Sequence, residues 1–266
     1  VIVGVGCWRG SGATTTALLL AAALAEVGAA PWLVEADAAG GVLATRCGLR
    51  ADELGGRDGI GVELLARRRG SDADDADDEF GRAAVSIGDV ALVPMPADPF
   101  RAHGCLSARS SWIDLLPTLV EPVVIDVGRF RPGAVPWSVL DRLDVLLVVT
   151  SAEATALVAG DDWLENGGRM TAADTGLAAD IGRLVVVDAP VAGTTFSEAT
   201  ATAELGDRLA GWIPWSPSAV ELLHCGAGLS DRRAGRRGFA AAARRLAANV
   251  TALSDVPRST DRVVNA

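Results

Sequence analysis

Val1-Ile2-Val3-Gly4-Val5-Gly6-Cys7-Trp8-Arg9-Gly10-Ser11-Gly12-Ala13-Thr14-Thr15-Thr16-Ala17-Leu18-Leu19-Leu20 opens the chain. The first five residues are β-branched or glycine, the middle carries Gly10 and Gly12, and an apolar helix-forming run begins at Ala17. A strand, a glycine-rich turn and a helix in this order make a cradle whose backbone amides face a phosphate at a helix N-terminus. Gly10, Ser11, Gly12, Ala13, Thr14 and Thr15 are the residues this reading places around the anion. In such loops a lysine ammonium reaches the β- and γ-phosphates. None of the 266 residues is lysine, and all 24 basic residues are arginine.

Further apolar runs follow. Pro31–Glu35, Val90–Pro94, Val123–Asp126, Val145–Thr150 and Leu184–Asp188, with Val1–Val5, are apolar on both faces, as central strands of a covered parallel sheet are. Gly211-Trp212-Ile213-Pro214-Trp215 reads as a short further strand whose proline marks its end. Longer helical stretches separate these runs, which predicts a doubly wound α/β domain, mainly parallel, with helices on both faces. Residues 17–25 imitate a signal-peptide core, but no basic segment precedes them and they read as a buried helix. Phe239, Ala243, Leu246, Val250 and Leu253 recur at helical spacing and predict a last helix that turns Arg244 and Arg245 outward. The domain is therefore expected over residues 1–253, followed by a polar tail, 254–266. Between the second and third strands, Arg67-Arg68-Arg69-Gly70-Ser71 and then Asp72, Asp74, Asp75, Asp77, Asp78 and Glu79 predict a solvated, mobile acidic loop at about 70–80.

Composition narrows the function classes. A net charge of −10 argues against indiscriminate nucleic-acid binding by the whole domain. No apolar run reaches the roughly 18 residues of a membrane span. Cys7, Cys47, Cys105 and Cys225 lack CxxC spacing, so free thiols in a reducing, cytoplasmic setting are expected and a zinc site is not. The start on Val1 without methionine leaves room for a domain upstream.

Two acids stand where strand ends meet the first loop. Asp37 follows the second strand in Val34-Glu35-Ala36-Asp37-Ala38-Ala39-Gly40-Gly41, and Asp126 closes Val123-Val124-Ile125-Asp126. In open α/β sheets ligands bind beyond the carboxyl ends of the strands, so both acids converge on one crevice. Asp126 suits an aspartate that holds magnesium through water, and Thr14 suits the hydroxyl that ligates the metal directly. The competing reading makes both acids turn-formers.

This combination resembles the MinD/ParA family of deviant Walker-A ATPases over nearly the whole chain. Trp8-Arg9-Gly10-Ser11-Gly12-Ala13-Thr14-Thr15 falls without gaps on the family pattern Lys-Gly-Gly-x-Gly-Lys-Thr-Thr, with Trp8 and Ala13 in place of both lysines, and Cys7 replaces the first glycine of the family's loop, just ahead of this pattern. Glu35-Ala36-Asp37 is similar to the start of the family's switch I, Leu92-Val93-Pro94 to the end of its third strand, and Val124-Ile125-Asp126 to Walker B. Asp144–Thr150 is similar to the strand after Walker B, with Glu153 at an often acidic loop position. Leu184–Asp188 looks like the strand that ends in an adenine-reading asparagine, here Asp188, and Gly211–Pro217 with Gly226 looks like the Gly-x-Ile-Pro segment and the helix end that follows. The resemblance implies ATP or ADP and magnesium as ligands, Asp37 as the residue orienting water, and Asp188 and Pro214 beside the base. Alanine at the Walker lysine followed by Thr-Thr is similar to the CpaE/TadZ branch, which includes actinobacterial septum-site-determining proteins.

That branch localises pilus machinery or influences septation, often behind a receiver-like domain. The implied role is a spatial-positioning or assembly scaffold with protein partners and a homodimeric form, recruited to a pole, a septum or the inner membrane face. ATP binding and hydrolysis are expected to be weak or absent. Two alternatives stand beside it. One is a slow Mg-ATPase in which Arg9 replaces the lost lysines, although guanidinium is planar and bulkier than ammonium. The other is a DNA-binding partition protein that uses Arg232, Arg233, Arg236, Arg237, Arg244 and Arg245, a cluster suited to phosphates but also to solvent. His103 and His224 lack nucleophile partners and read as structural. Trp8 and Trp215 either stack on a base, seal a dimer face or pack in the core.

Overall fold

The computed structural model describes residues 1–8, 10, 12–49, 61–67, 75–107, 112–130, 137–166, 181–231 and 238–254. The β-branched runs form β1 (Ile2–Cys7), β2 (Trp32–Glu35), β3 (Val85–Ile87), β4 (Val90–Val93), β5 (Val123–Arg129), β6 (Val145–Ser151), β7 (Gly182–Asp188) and β8 (Leu209–Pro214). They join in one sheet of order β3-β4-β2-β5-β1-β6-β7-β8. All pairings are parallel except β3 with β4. The helices are α1 (Ala13–Glu26), α2 (Leu43–Arg46), α3 (Gly61–Arg67), α4 (Ala76–Ala83), α5 (Pro99–Cys105), α6 (Trp112–Leu115), α7 (Trp137–Leu140), α8 (Ala154–Glu165), α9 (Glu198–Leu205), α10 (Pro217–His224) and α11 (Phe239–Ser254).

Strand alternation divides the core between two faces. Val3, Val5 and Cys7 of β1 pack with α1, α10 and α11, where Leu18, Leu20, Leu223, Phe239 and Leu246 are buried. Ile2 joins the opposite face with Val62, Phe80, Trp112, Val139 and Leu157. Gly4 and Gly6 of β1 point the same way as Ile2, and a Cβ on either would collide with Leu143 or Phe130. Helix α1 is buried nearly all round, from Ala17 through Leu20 to Leu24, as a helix apolar on every side must be. This is the structural meaning of the stretch that imitates a signal peptide. No described helix is long and apolar enough to cross a membrane.

The expected mainly parallel sheet and the last helix are present, and three local details differ from or add to the sequence reading. First, the acidic loop at about 70–80 is in part helix α4, with Asp75 at its N-cap position and Asp77, Asp78 and Glu79 in the first turn. Carboxylates there complement the helix dipole, and Ala76, Phe80 and Ala83, at helical spacing, are buried. Asp72 and Asp74 lie outside the described residues. Second, β3 is an added antiparallel edge strand, turned through Gly88 and Asp89 into β4. Third, β5 continues past Asp126 to Arg129. A bulge interrupts its register with β1 between Val5 paired to Asp126 and Gly6 paired to Gly128. Bulges re-aim side chains next to functional sites, and this one lies at the loop.

Candidate functional site

The loop between β1 and α1 leaves the carboxyl end of β1, which is flanked by β5 on one side and β6 on the other. Gly10 and Gly12 adopt φ of 70° and 96°, a left-handed conformation open to glycine at little cost. Gly12 is the N-cap residue of α1 and no side chain caps that end, so its first amides remain available to an anion. Ala13 stands at the lysine position of the motif and is 3% exposed. Its methyl group is packed inward and carries no charge to the crevice. Arg9 and Ser11 lie outside the described residues.

Behind the loop, Asp126 is 1% exposed. Its carboxylate accepts from the Thr14 hydroxyl and from the Gly128 amide at 3.0 Å. Burial, with the neighbouring charges of Glu35 and Asp37, pushes its pKa up to about 7, because desolvation and like charge both disfavour the ionised form. Asp37 approaches across Gly128, whose φ is 71° and whose missing side chain leaves the space the Asp37 carboxyl occupies. Its Oδ1 accepts from the Ala39 amide at 2.8 Å. The convergence of Asp37, Asp126 and Thr14 expected from strand ends is therefore present.

Glu35 organises the segment that carries Asp37. Buried at 1% exposure, it accepts from the amides of Val42 at 2.7 Å and Leu43 at 2.8 Å, and from Met95 at 3.2 Å. Burial raises its pKa despite these bonds. The first two contacts hold the start of α2, which ends in Arg46. Among the described residues no three His, Cys, Asp or Glu side chains form a metal cage. Magnesium needs none, since it usually keeps several waters and is held by one or two carboxylates and substrate phosphates. Thr14 and Asp126 fit that mode of binding.

Two cavities meet at the loop. The first, about 220 Å3, is lined by Gly10, Gly12, Ala13, Thr14, Asp37, Gly128, Arg46 and Arg129. The second, about 510 Å3, falls in the range of small-molecule sites. Thr15, Thr16, Val187, Pro214, Trp215 and His224 line it, together with Gly10, Gly12 and Arg46. Burial lowers the His224 pKa, and its Nε2 has no hydrogen-bond partner among the described residues.

Of the residues expected around a ligand, Gly10, Gly12, Ala13, Thr14 and Asp37 share the smaller cavity, and Thr15 and Pro214 line the larger. Asp126 lies beneath the loop. Asp188 ends β7 level with Pro214, exposed, while its neighbours Val187 and Ala189 form the cavity wall. Trp8 packs within the fold: its ring lies edge-on to Phe130 at 5.1 Å and to Trp163 at 4.5 Å. Trp215, 44% exposed, faces the larger cavity. His103 is an exposed residue of α5. Arg46, Arg129, His224 and Glu35 escaped the sequence reading as site residues. The only signal for the arginines was their distance along the chain from Asp37 and Asp126.

Known structures share this fold. The septum site-determining protein MinD of Pyrococcus horikoshii OT3, solved with Mg-ADP, matches with a TM-score of 0.66 at 19% identity, over 96% of this chain and 96% of that one. A ParA family ATPase from Chlorobium tepidum TLS matches with a TM-score of 0.63 at 17% identity, over 93% and 97%. MinD of Aquifex aeolicus, in a MinC:MinD cell division protein complex, matches with a TM-score of 0.56 at 17% identity, over 97% and 98%. No protein-family model matches the sequence, and no curated protein matches it. At these identities the likeness establishes the fold, which is that of the MinD and ParA ATPases.

Proposed function

We propose that this chain is a nucleotide-responsive positioning or assembly scaffold that binds the phosphates of ATP or ADP weakly and hydrolyses ATP very slowly or not at all. One observation carries the reading. The Thr14 hydroxyl is bonded to the buried Asp126 carboxylate beneath a glycine-rich loop, while the lysine position is the inward-packed Ala13. The parts that cradle phosphate and hold magnesium are kept, and the parts that stabilise the transferring group are replaced. Electrostatic stabilisation of the migrating phosphoryl group is the larger share of such catalysis, so turnover is lost before binding is. A bound magnesium would be held by Thr14 and, through water, Asp126, and it would neutralise charge between the phosphates.

Function then lies in a dimer and in protein partners. The solved MinD in complex with MinC supports partner binding as a use of this fold, although fold alone does not assign it. Ala13-Thr14-Thr15 supports a place beside the CpaE/TadZ branch, with recruitment to a pole, a septum or the membrane face by a partner. Phosphate release from Mg-ATP is the test. The protein and its Asp37→Ala variant are expected to release phosphate at the same background rate. A rate that falls at least tenfold on that substitution would instead assign Asp37 a catalytic role and make the chain a slow ATPase.

A further inference from the structure

Two arginines from other parts of the fold border the cavity at the lysine-free loop. Arg46 ends α2 and Arg129 ends β5, so two segments far apart in sequence bring cations to one glycine-rich loop. Both side chains line the smaller cavity with Gly10, Gly12, Ala13 and Thr14. The Nη2 of Arg129 stands 2.5 Å from the point a Cβ on Gly10 would occupy, so the absence of a side chain at Gly10 is what admits the guanidinium. Arg46 also borders the larger cavity, which places it where the two chambers join.

Their electrostatic state differs from that of the other arginines around the fold. Arg67 and Arg101 pair with Glu63, Arg142 with Asp114, Arg208 with Asp161 and Glu165, and Arg244 with Glu26. The Arg46 and Arg129 side chains make no ion pair or hydrogen bond among the described residues. In a protein of net charge −10, two arginines with no ion pair among the described residues, lining one cavity with Gly10, Gly12, Ala13 and Thr14, make a binding site for an anion with several oxygens. Guanidinium forks match phosphate geometry bidentately.

We propose that Arg46 and Arg129 bind the polyphosphate of the nucleotide in the smaller cavity and supply the cationic contact that holds it in the absence of lysine. This assignment rests on the phosphate-binding reading above. Because Arg46 sits on α2, whose start Glu35 holds, phosphate occupancy would pull directly on the segment that carries Asp37.

Calorimetric titration of the wild type, Arg46→Ala, Arg129→Ala and Arg129→Lys with Mg-ATP, sodium tripolyphosphate and adenosine tests it, with Arg244→Ala as a distant control. Each alanine variant is expected to weaken ATP and tripolyphosphate binding about tenfold or more, the worth of a charge-assisted contact, and to leave adenosine binding unchanged. Arg129→Lys should recover part of the loss, and Arg244→Ala should bind as the wild type does. Wild-type binding that both alanine variants retain in full would overturn the assignment and leave the phosphate-binding reading standing. A wild type that binds neither ATP nor tripolyphosphate would overturn that reading and the assignment with it.

Discussion

Gly128 shows how one residue positions the site. Its φ of 71° and its contact with the Asp37 carboxyl each exclude a side chain. Gly128→Ala is therefore expected to destabilise the protein by about 2 to 4 kcal/mol and to displace Asp37. Urea unfolding measures the loss, and an unchanged midpoint would mean that the turn relaxes freely. Asp126 makes a pH prediction. Its folded pKa of about 7 lies above the value near 3.9 of an exposed aspartate, so the native state keeps a proton that the unfolded chain releases. That contribution is fully present below about pH 4 and is lost as pH rises through about 7. Glu35 shifts in the same direction. Unfolding between pH 5 and pH 8 should show stability falling with pH, and Asp126→Asn should flatten the fall. A variant that loses stability as steeply as the wild type would remove Asp126 as its source. The convergence of Asp37, Asp126 and Thr14 was legible because each lies at a strand end or helix start, where local sequence fixes position. Arg46 and Arg129 were not, because their meeting depends on the packing of α2 and β5 around the loop.

At the scale of elements, the loop is anchored by aromatic contact with α8 and the end of β5. Trp8 and Phe130 flank the loop, Trp163 comes from α8, and Phe130 and Trp163 stack at 5.8 Å. Aromatic pairs of this geometry contribute beyond their buried area. Trp8→Ala should cost about 2 to 4 kcal/mol, toward the lower part of the range for large core truncations since Trp8 is only partly buried. Chemical unfolding reads this. A loss below 0.5 kcal/mol, the ordinary surface value, would mean that the ring belongs to a different contact. The sequence left base stacking, a dimer face and core packing open for Trp8, since a tryptophan in a loop carries no periodicity to choose among them. The opposite problem arose at α4. There a dense run of acids concealed the helical spacing of Ala76, Phe80 and Ala83, and burial of that stripe prevailed over the charge pattern. Short elements such as β3, three residues long, pair only because β4 is beside them.

Across the whole molecule, the parallel sheet and its covered faces were readable because each central strand is apolar on both sides, a pattern with few other solutions. Function was less readable, since the same sheet supports many uses. The charge of the last helix illustrates this. Arg244 is bonded to Glu26 at 2.6 and 2.7 Å and Arg245 lies 3.9 Å from Glu198, so these two arginines serve contacts within the fold. Arg232, Arg233, Arg236 and Arg237 lie outside the described residues. On the proposed reading the loop still binds nucleotide after losing its lysines, and that binding is coupled to assembly. Calorimetric titration with ATP and with ADP, each with magnesium and with mass followed by light scattering, addresses it directly. Saturable binding of ATP accompanied by a shift from monomer to dimer is the predicted result. No heat and no change in mass would contradict the account and leave a fold retained solely as a platform for partners.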